Sequence, residues 1–546
     1  MLAFSSLALG RRLALQASAS CLAGARPFHG HLDRRDCWSA KPTMRLALLA
    51  ALAFSISGCV LQIPLIKPVG RPLAAEESQP SPQSGGRELI GLAASGGGNR
   101  AAYLEAAVLR EIHRLGLRVE VPGAPAGDLL SQLGFISSVS GGSMSSAYYA
   151  MHHVELETSP WTSAAWAAYT DLMASNNRWV QFDLRGELNP WTWILRFLTN
   201  YNRGDVARGF YERKLFGQAT IAQLPDRPAL FVNATNVTHH NHFVFAKRSC
   251  LRDDFDDQPT TPVYMYCMDD LRLDPASIKL AEAVYASSAF PFVFPNLELA
   301  DYGYNGYLHE KPNTVLLGDG GLLDNSGLVM LLSQFERELA RFPEGRFVLV
   351  ISVDADVGFF QIDQAWAAGR KRNREVTRHN VVGEGRNSLD ASYDYIDTQQ
   401  RRYLARRGVD LPSDDPGYDE VDLARAKAAG PLPFWAEQTA TGRLLRPPKV
   451  IDLSLPQLLR LTAKLIQEGS NRELTDRLAK VGITADPITV YSALADRLAA
   501  ITTDFRLRKG DREVLDLCAY ILVNHVLKPQ LETWSVEATR SLEAAR

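Results

Sequence analysis

Much of the chemistry a chain of 546 residues can carry is excluded here by what is scarce or missing. Neither charge dominates: 59 Lys and Arg stand against 61 Asp and Glu, a formal net charge of −2, so no basic surface for nucleic acid is expected. Beyond the first sixty residues no eighteen consecutive apolar residues occur, which leaves no candidate for a spanning helix. The Gly-Lys-Ser/Thr of a phosphate-binding P-loop is missing, and no glycine loop has Gly-x-Gly-x-x-Gly spacing. The acidic run Asp253–Asp257 lacks an EF-hand's spacing and closing glutamate, so it reads as a solvated turn. His239-His240-Asn241-His242 has no cysteine or carboxylate partner at ligand spacing. Alternation along a strand would put His240 and His242 on one face and His239 on the other, as solvated histidines. No metal and no cofactor are expected, and no internal repeat is found.

Histidine is scarce where a Ser-His-Asp hydrolase would need it. Only His379 and His525 follow Asp319, neither at a glycine-rich strand end. His525 lies on an apolar helical pattern and reads as a satisfied core residue.

What is present is an apolar content of 46%, enough for a large core or two, and three short motifs. The apolar and small residues from Leu133 to Val139 read as a buried strand, Ser140-Gly141-Gly142 as a sharp turn, and Met144 to His152 as a helix. A serine between a strand and a helix is lifted out of the sheet as in a nucleophile elbow. Strand and helix nearly collide there, so positions two before and two after it must be small, as Ser138 and Gly142 are.

Upstream, Glu88–Ala94 reads as a strand and Ala101–Leu115 as a helix, joined by Ser95-Gly96-Gly97-Gly98-Asn99-Arg100. Three glycines leave backbone N–H groups open to close approach, and a helix N-terminus favours negative charge. A phosphate or the oxyanion of a tetrahedral acyl intermediate would suit the place, the phosphate less well without its P-loop signature. The third motif is Leu316-Leu317-Gly318-Asp319-Gly320-Gly321, with Asp324-Asn325 after it. Asp-Gly turns are common alone; beside a serine elbow and a triple-glycine loop, Asp319 becomes the candidate base.

In this order the three motifs resemble those of the patatin-like phospholipases. That family carries an Asp-Gly-Gly-Gly-x-Arg-Gly loop, a Gly-x-Ser-x-Gly elbow and a later Asp-Gly-Gly or Asp-Gly-Ala. Ala286-Ser287-Ser288-Ala289-Phe290-Pro291 is similar to a fourth family segment, and weaker similarity extends the resemblance over about residues 88–455. Ser95, Ala101 and Ser138 depart from the pattern, each by a small residue. Ala101 is the least comfortable if its position requires positive φ.

The resemblance implies an α/β chain with a three-layer α/β/α patatin-like fold and a mainly parallel central sheet. It implies a Ser140–Asp319 dyad acting through an acyl-enzyme, with Gly96, Gly97 and Gly98 around an oxyanion hole and Arg100 bracing the loop or contacting a lipid phosphate. The implied activity is that of a lipid acyl hydrolase, of phospholipase A or lysophospholipase type, with a membrane phospholipid or lysophospholipid as substrate. A thioesterase or carboxylesterase of the same fold is the alternative among enzymes. A catalytically idle lipid-binding lipoprotein scaffold is the alternative outside them.

Six strand-like runs fit this reading, at 88–94, 133–139, 229–234, 313–318, 347–353 and 449–453. Alternation of strands with helical stretches argues for a mainly parallel sheet. The catalytic domain is expected over residues 87–455, with surface elaboration at 373–417 and a helical C-terminal extension over 456–546. In that extension Leu458, Leu461 and Leu465 share one face, as do Leu494, Leu498, Ile501 and Phe505. Asn189–Leu198 mixes aromatic and aliphatic residues, as in a hydrophobic lid or a core helix.

The front of the chain sets the expected compartment. Residues 44–58 combine one positive charge, a short apolar run and small residues before Cys59, as in a secretory leader. Ile56-Ser57-Gly58-Cys59 resembles a bacterial lipobox, which implies lipidation of Cys59. Val60 after it favours the outer membrane, so a cell-envelope lipoprotein held by its N-terminal lipid is expected. A cleaved leader with an incidental cysteine is the alternative. Residues 1–43 then read as a mis-called start, or as a transit peptide. Residues 59–86 read as the lipidated cysteine and a flexible, proline-punctuated tether. Cys250 and Cys267 flank the acidic loop and could bridge or stay apart.

Overall fold

A computed structural model describes residues 69–72, 88–119, 127–175, 203–247, 265–291, 294–302, 313–341, 347–356, 448–469, 472–501 and 507–545. The expectations for 1–68, for the aromatic segment 189–198, for the acidic loop 253–257, for 373–417 and for Cys250, His379 and Phe505 lie outside these residues. Cys267 is disulfide-bonded.

Among the described residues nine strands form one sheet: β1 Glu88–Ala94, β2 Phe135–Val139, β3 Ala229–Asn236, β4 Asn241–Phe245, β5 Met265–Cys267, β6 Leu297–Asp301, β7 Asn313–Asp319, β8 Phe347–Asp354 and β9 Lys449–Ser454. The order runs β9-β8-β1-β2-β3-β4-β5, with β7 beside β3 and β6 beside β7. Pairs β9–β8, β8–β1, β1–β2, β2–β3 and β4–β5 are parallel; β3–β4, β3–β7 and β6–β7 are antiparallel. The central strands are buried on both faces, which explains their near-continuous apolar runs.

Both faces of β1 are covered. Leu89 and Ala93 face Leu328, Leu331, Leu332 and Phe335 of α6 (Leu328–Arg341), while Ile90 and Leu92 face the opposite helical layer. Gly91 has no side chain because a Cβ there would stand 2.8 Å from atoms of both Leu331 and Phe335. The opposite layer contains α1 (Gly98–Leu115), α2 (Ser140–Thr158), α3 (Ala164–Ser175), α4 (Arg203–Tyr211) and α5 (Leu280–Ser287). An α/β/α sandwich with a mostly parallel sheet results, the expected fold class.

The C-terminal helices are α7 (Leu455–Gln467), α8 (Arg472–Lys480), α9 (Val490–Ala500), α10 (Lys509–Leu522) and α11 (Lys528–Ala545). They share one hydrophobic cluster with α1 and α2. α10 lies along α1, where Arg110 pairs with Asp516 at 2.8 Å and Tyr103 donates to the same carboxylate. On α7 the buried face is Leu455, Leu458, Leu459, Thr462 and Ile466, with Leu461 and Leu465 at its margin. The buried face is therefore rotated from the expected Leu458–Leu461–Leu465 stripe, because Leu459 and Ile466 make the deeper contacts.

Two further expectations are corrected. His239 and His240 are not in a strand: β4 begins at Asn241, and His240 occupies a turn at φ 56°. Asn236 builds that turn, its Oδ1 accepting the N–H groups of Thr238 and His239. Residues 69–72, inside the expected flexible tether, lie along the sheet edge. Val69 N–H donates to Glu298 O at 3.0 Å and Val69 O accepts from Ala300 at 2.9 Å, beside β6.

Candidate active site

Strand register brings the two candidate catalytic residues together. β2 runs parallel to β3 and ends at Val139 opposite Asn233. β7 runs antiparallel to β3 and ends at Asp319 opposite Ala234. β4 occupies the other edge of β3 here, so β2 and β7 share one edge and meet end to end at adjacent positions. Ser140 follows Val139 immediately, and its Oγ donates to Asp319 Oδ2 at 2.9 Å. Gly320 makes the junction possible, since a Cβ there would lie 2.4 Å from Asn233 O.

Ser140 has the strained backbone expected of an elbow. Its φ is 49°, a left-handed value that costs a side-chain-bearing residue on the order of 1–2 kcal/mol. Helix α2 starts at Ser140, earlier than the expected Met144, so the candidate nucleophile stands at a helix N-terminus. Its backbone N–H donates to Ser287 Oγ at 2.8 Å, and Ser287 Oγ lies 2.9 Å from Ser143 Oγ. Gly142 is needed because a Cβ would meet Ser95 O at 2.7 Å and Ala94 O at 2.8 Å. Ser138, where the family has glycine, turns its hydroxyl inward to donate to Phe231 O at 3.2 Å.

The glycine loop closes the other side. Gly97 (φ 131°) and Gly98 (φ 59°) occupy backbone regions that favour glycine. Gly97 caps α1 and Gly98 is its first residue, so neither N–H has a carbonyl within the helix to bond. Gly96 differs from the expectation. Its N–H donates to Asn325 O at 2.9 Å, which narrows the candidate oxyanion donors to Gly97 and Gly98. Ala101 lies inside α1 without positive φ, so its departure from glycine carries no backbone strain. Ser95 fastens the loop to the end of β8, accepting from Ala355 N–H at 2.9 Å and donating to Gly96 O at 3.0 Å.

Arg100 is buried and braces the same corner. Nε donates to Ala355 O at 2.9 Å and Nη1 to Ile501 O at 3.2 Å, joining the loop to β8 and the end of α9. Burial lowers its pKa, with Asp356 and Asp354 opposing that shift.

Asp319 is 4% exposed. Burial raises its pKa from the usual carboxylate range to about 7, against the opposing hydrogen bonds from Gly321 N–H and Ser140. A carboxylate poised there can take a proton near neutrality. Gly321 N–H donates to Oδ1 at 2.8 Å, which leaves Oδ2 to the serine. Asp319 N–H donates to Ala289 O at 3.1 Å.

Several residues around the dyad were not assigned roles from sequence. Ser287, Ser288 and Ala289 lie in the Ala286–Pro291 segment, to which the local pattern alone gives no role. Tyr211, buried and pushed up to about 12 by desolvation, reaches Ser288 Oγ at 3.1 Å. Asn233 Nδ2 donates to Ser137 Oγ and Ser138 O, both at 2.9 Å, and so fixes the end of β2. Asp324 caps the turn into α6, accepting from Ser326 N–H at 2.9 Å, Gly327 N–H at 3.0 Å and Val329 N–H at 3.2 Å.

His525 makes no contact with the dyad. It sits in a π-helical turn at 523–527, edge-on to Tyr520, and its Nε2 is buried without a hydrogen-bond partner. It is thus a packed residue but not a satisfied one. Burial lowers its pKa. Among the described residues no cluster of His, Cys, Asp or Glu could hold a metal ion, and no helix is long and apolar enough to cross a membrane.

The patatin-like phospholipase family model matches residues 92–332, a stretch that contains the glycine loop, the elbow, the Ser287 segment and Asp319. Human GIVD cytosolic phospholipase A2, solved in complex with a methyl gamma-linolenyl fluorophosphonate inhibitor and terbium chloride, is similar at 12% identity and a TM-score of 0.39. The match covers 84% of this chain and 60% of the human one, so the chain spans about three-fifths of that enzyme. VipD from Legionella pneumophila is similar at 11% identity and a TM-score of 0.22, over 87% of this chain and 99% of VipD. No curated protein matches this sequence at a significant level.

Proposed function

We propose that this domain is a lipid acyl hydrolase of the phospholipase A or lysophospholipase type, using Ser140 and Asp319 through an acyl-enzyme. The observation that carries the reading is the 2.9 Å hydrogen bond from a strained, elbow-held Ser140 to a buried Asp319. The family model over residues 92–332 supports a lipid ester as substrate.

The geometry suggests the order of events. Ser140 Oγ attacks the ester carbonyl carbon as its proton passes to Asp319 Oδ2. The carbonyl π bond opens to an oxyanion beside the N–H groups of Gly97 and Gly98. Donors of that kind contribute roughly 2.7–4 kcal/mol each. The carbon–oxygen bond to the alcohol then breaks, and the departing oxygen takes the proton from Asp319. Water attacks the acyl-enzyme, giving its proton to Asp319. Collapse releases the fatty acid, and the proton returns to Ser140. No third residue is required, because Asp319 is both near neutral pKa and in direct contact with the nucleophile.

Anchoring by a lipid on Cys59, in a bacterial outer membrane, is the companion proposal; it would bring this site to its substrate. Its support is the leader-like run before Ile56-Ser57-Gly58-Cys59. Membrane fractionation of Cys59→Ser tests it: release from the membrane fraction supports the anchor, and unchanged partition sinks it.

Fatty-acid release from phospholipid vesicles tests the activity, with Ser140→Ala and Asp319→Asn beside the wild type. The expected result is release by the wild type and a loss of at least about 10³-fold in each variant. Hydrolysis of soluble esters or thioesters alone would transfer the chemistry to the esterase class. Silence of all three on every ester would favour a scaffold.

A further inference from the structure

Ser287 sits in a four-residue segment, Ser287–Phe290, that touches the backbone of both dyad members. Its hydroxyl accepts the Ser140 N–H at 2.8 Å, and two residues on Ala289 O accepts the Asp319 N–H at 3.1 Å. Between them Ser288 Oγ meets Tyr211 OH at 3.1 Å. We propose that Ser287 is a positioning residue: its hydroxyl holds Ser140 in the left-handed backbone conformation that delivers Oγ to Asp319.

A side-chain-bearing residue keeps positive φ only where its surroundings over-determine it. At Ser140 the candidates can be separated. Gly141 and Gly142 allow the turn by lacking side chains, but absence of a clash does not select a conformation. The bond from Oγ to Asp319 acts on the side chain and must break at every turnover. The bond from Ser140 N–H to Ser287 Oγ grips the backbone of Ser140 from outside its own helix, and no step of the proposed chemistry requires it to break. Relaxation of φ would swing Oγ away from Asp319 and from the place where a carbonyl carbon meets Gly97 and Gly98.

Ser287 is suited to the task. It is fully buried at the end of α5, so the bond is not in competition with water. Its Oγ also lies 2.9 Å from Ser143 Oγ, a second contact on the side away from the Ser140 backbone. Because Ala289 belongs to the same segment, a shift of 287 relative to 289 changes the spacing between nucleophile and base. Displacements of about 1 Å at a reacting centre cost roughly 10²-fold in rate.

The test rests on the proposed Ser140–Asp319 chemistry and uses the full chain with two readouts. One is steady-state hydrolysis of a short-chain soluble ester; the other is covalent labelling of Ser140 by a fluorophosphonate, which reports the nucleophile without a lipid surface. Ser287→Ala is expected to lower kcat and the labelling rate about 10²-fold, with KM within about threefold of wild type. Ser287→Cys, a close steric match whose sulfur accepts hydrogen bonds weakly, is expected to fall between the two. Ser143→Ala removes only the outer hydroxyl and is expected to stay within about fivefold of wild type. Melting temperatures of all four chains are taken in parallel. The proposal is overturned if Ser287→Cys, folded, labels and turns over like the wild type. It is overturned equally if Ser287→Ala raises KM with kcat unchanged, or if Ser143→Ala is as impaired as Ser287→Ala. A wild type that neither labels nor hydrolyses sinks the dyad reading and this role together; a labelled wild type with an equally labelled Ser287→Ala sinks only this role.

Discussion

A Cβ placed on Gly141 would lie 2.0 Å from Gly98 O, so the turn that carries Ser140 and the loop that carries the candidate oxyanion donors are in backbone contact. No side chain lies between them to yield. Gly141→Ala must therefore push the start of α1 away from Ser140, displacing the Gly97 and Gly98 N–H groups. We expect kcat to fall about 10²-fold or more, with a loss of about 1–3 kcal/mol in stability from overpacking. Gly510→Ala, in α10 with nothing within 4 Å of the added Cβ, is the control and is expected to be neutral or stabilising. Equal kinetics for the two variants would show that the contact does not position the site.

The pH dependence follows from Asp319. Its folded pKa is raised to about 7, so the ionised carboxylate is the minor form in mildly acidic solution. We expect kcat/KM to climb about tenfold per pH unit below that value and to level off above it. In Ser140→Ala one of the two hydrogen bonds that lower this pKa is gone, so the carboxyl should titrate at higher pH than in wild type. Carbon NMR of labelled aspartate in both chains checks this second point. A profile flat from pH 5 to 9 would remove Asp319 from the base role.

Glu105 gives a pH effect on stability that is separate from catalysis. It lies in α1 facing α2, where Oε1 accepts from Ser146 Oγ at 2.6 Å and buried Oε2 has no partner. Burial raises its pKa from 4.5 to about 8, against the hydrogen bond from Ser146. An acid with a raised folded pKa binds more protons folded than unfolded. Its stabilising effect is thus complete below pH 4.5 and is lost progressively as pH rises toward 8. Glu105→Gln removes that titration. We expect its melting temperature to vary less between pH 5 and 9 than the wild type's, by several degrees. The slope decides the matter, because the amide's own buried N–H groups shift the absolute value.

Much of this architecture was legible because the central strands are buried on both faces and their apolar runs stand out. All six expected strands are present, with ends within two residues. β4 was anticipated only through the histidine run, two residues too early, while β5 and β6, of three and five residues, give no periodic signal. The dyad's residues could be named from local motifs, but their meeting could not. It depends on β7 turning antiparallel and taking the edge of β3 where β2 stops, which is a matter of register between distant segments. Gly96 shows the same limit. The triple glycine marks a loop of open N–H groups, yet only the fold reveals that Asn325 O has captured the first of them.

The sheet edge next to β7 yields the last prediction. β6 pairs with β7, whose final residue is Asp319; on the outer side of β6 lies Val69, and the strip continues to Pro72 along the 273–277 segment. Beyond the two Val69 bonds, Arg71 N–H donates to Ser277 Oγ at 2.8 Å and Arg71 O accepts from Asp274 at 2.9 Å. Without this strip the backbone groups of β6 lose their outer partners, and net values of about 0.5–1.5 kcal/mol per bond apply. A chain beginning at residue 66 retains the strip and one beginning at residue 73 does not. The second is expected to melt several degrees lower than the first, with faster amide exchange in β6. It should also turn over somewhat more slowly, because the strand supporting Asp319 is less firmly held. Identical melting and exchange in the two chains would mean that the strip merely rests on the edge. Unchanged turnover despite faster exchange would mean that Ala289 and Gly321 hold Asp319 without help from β6.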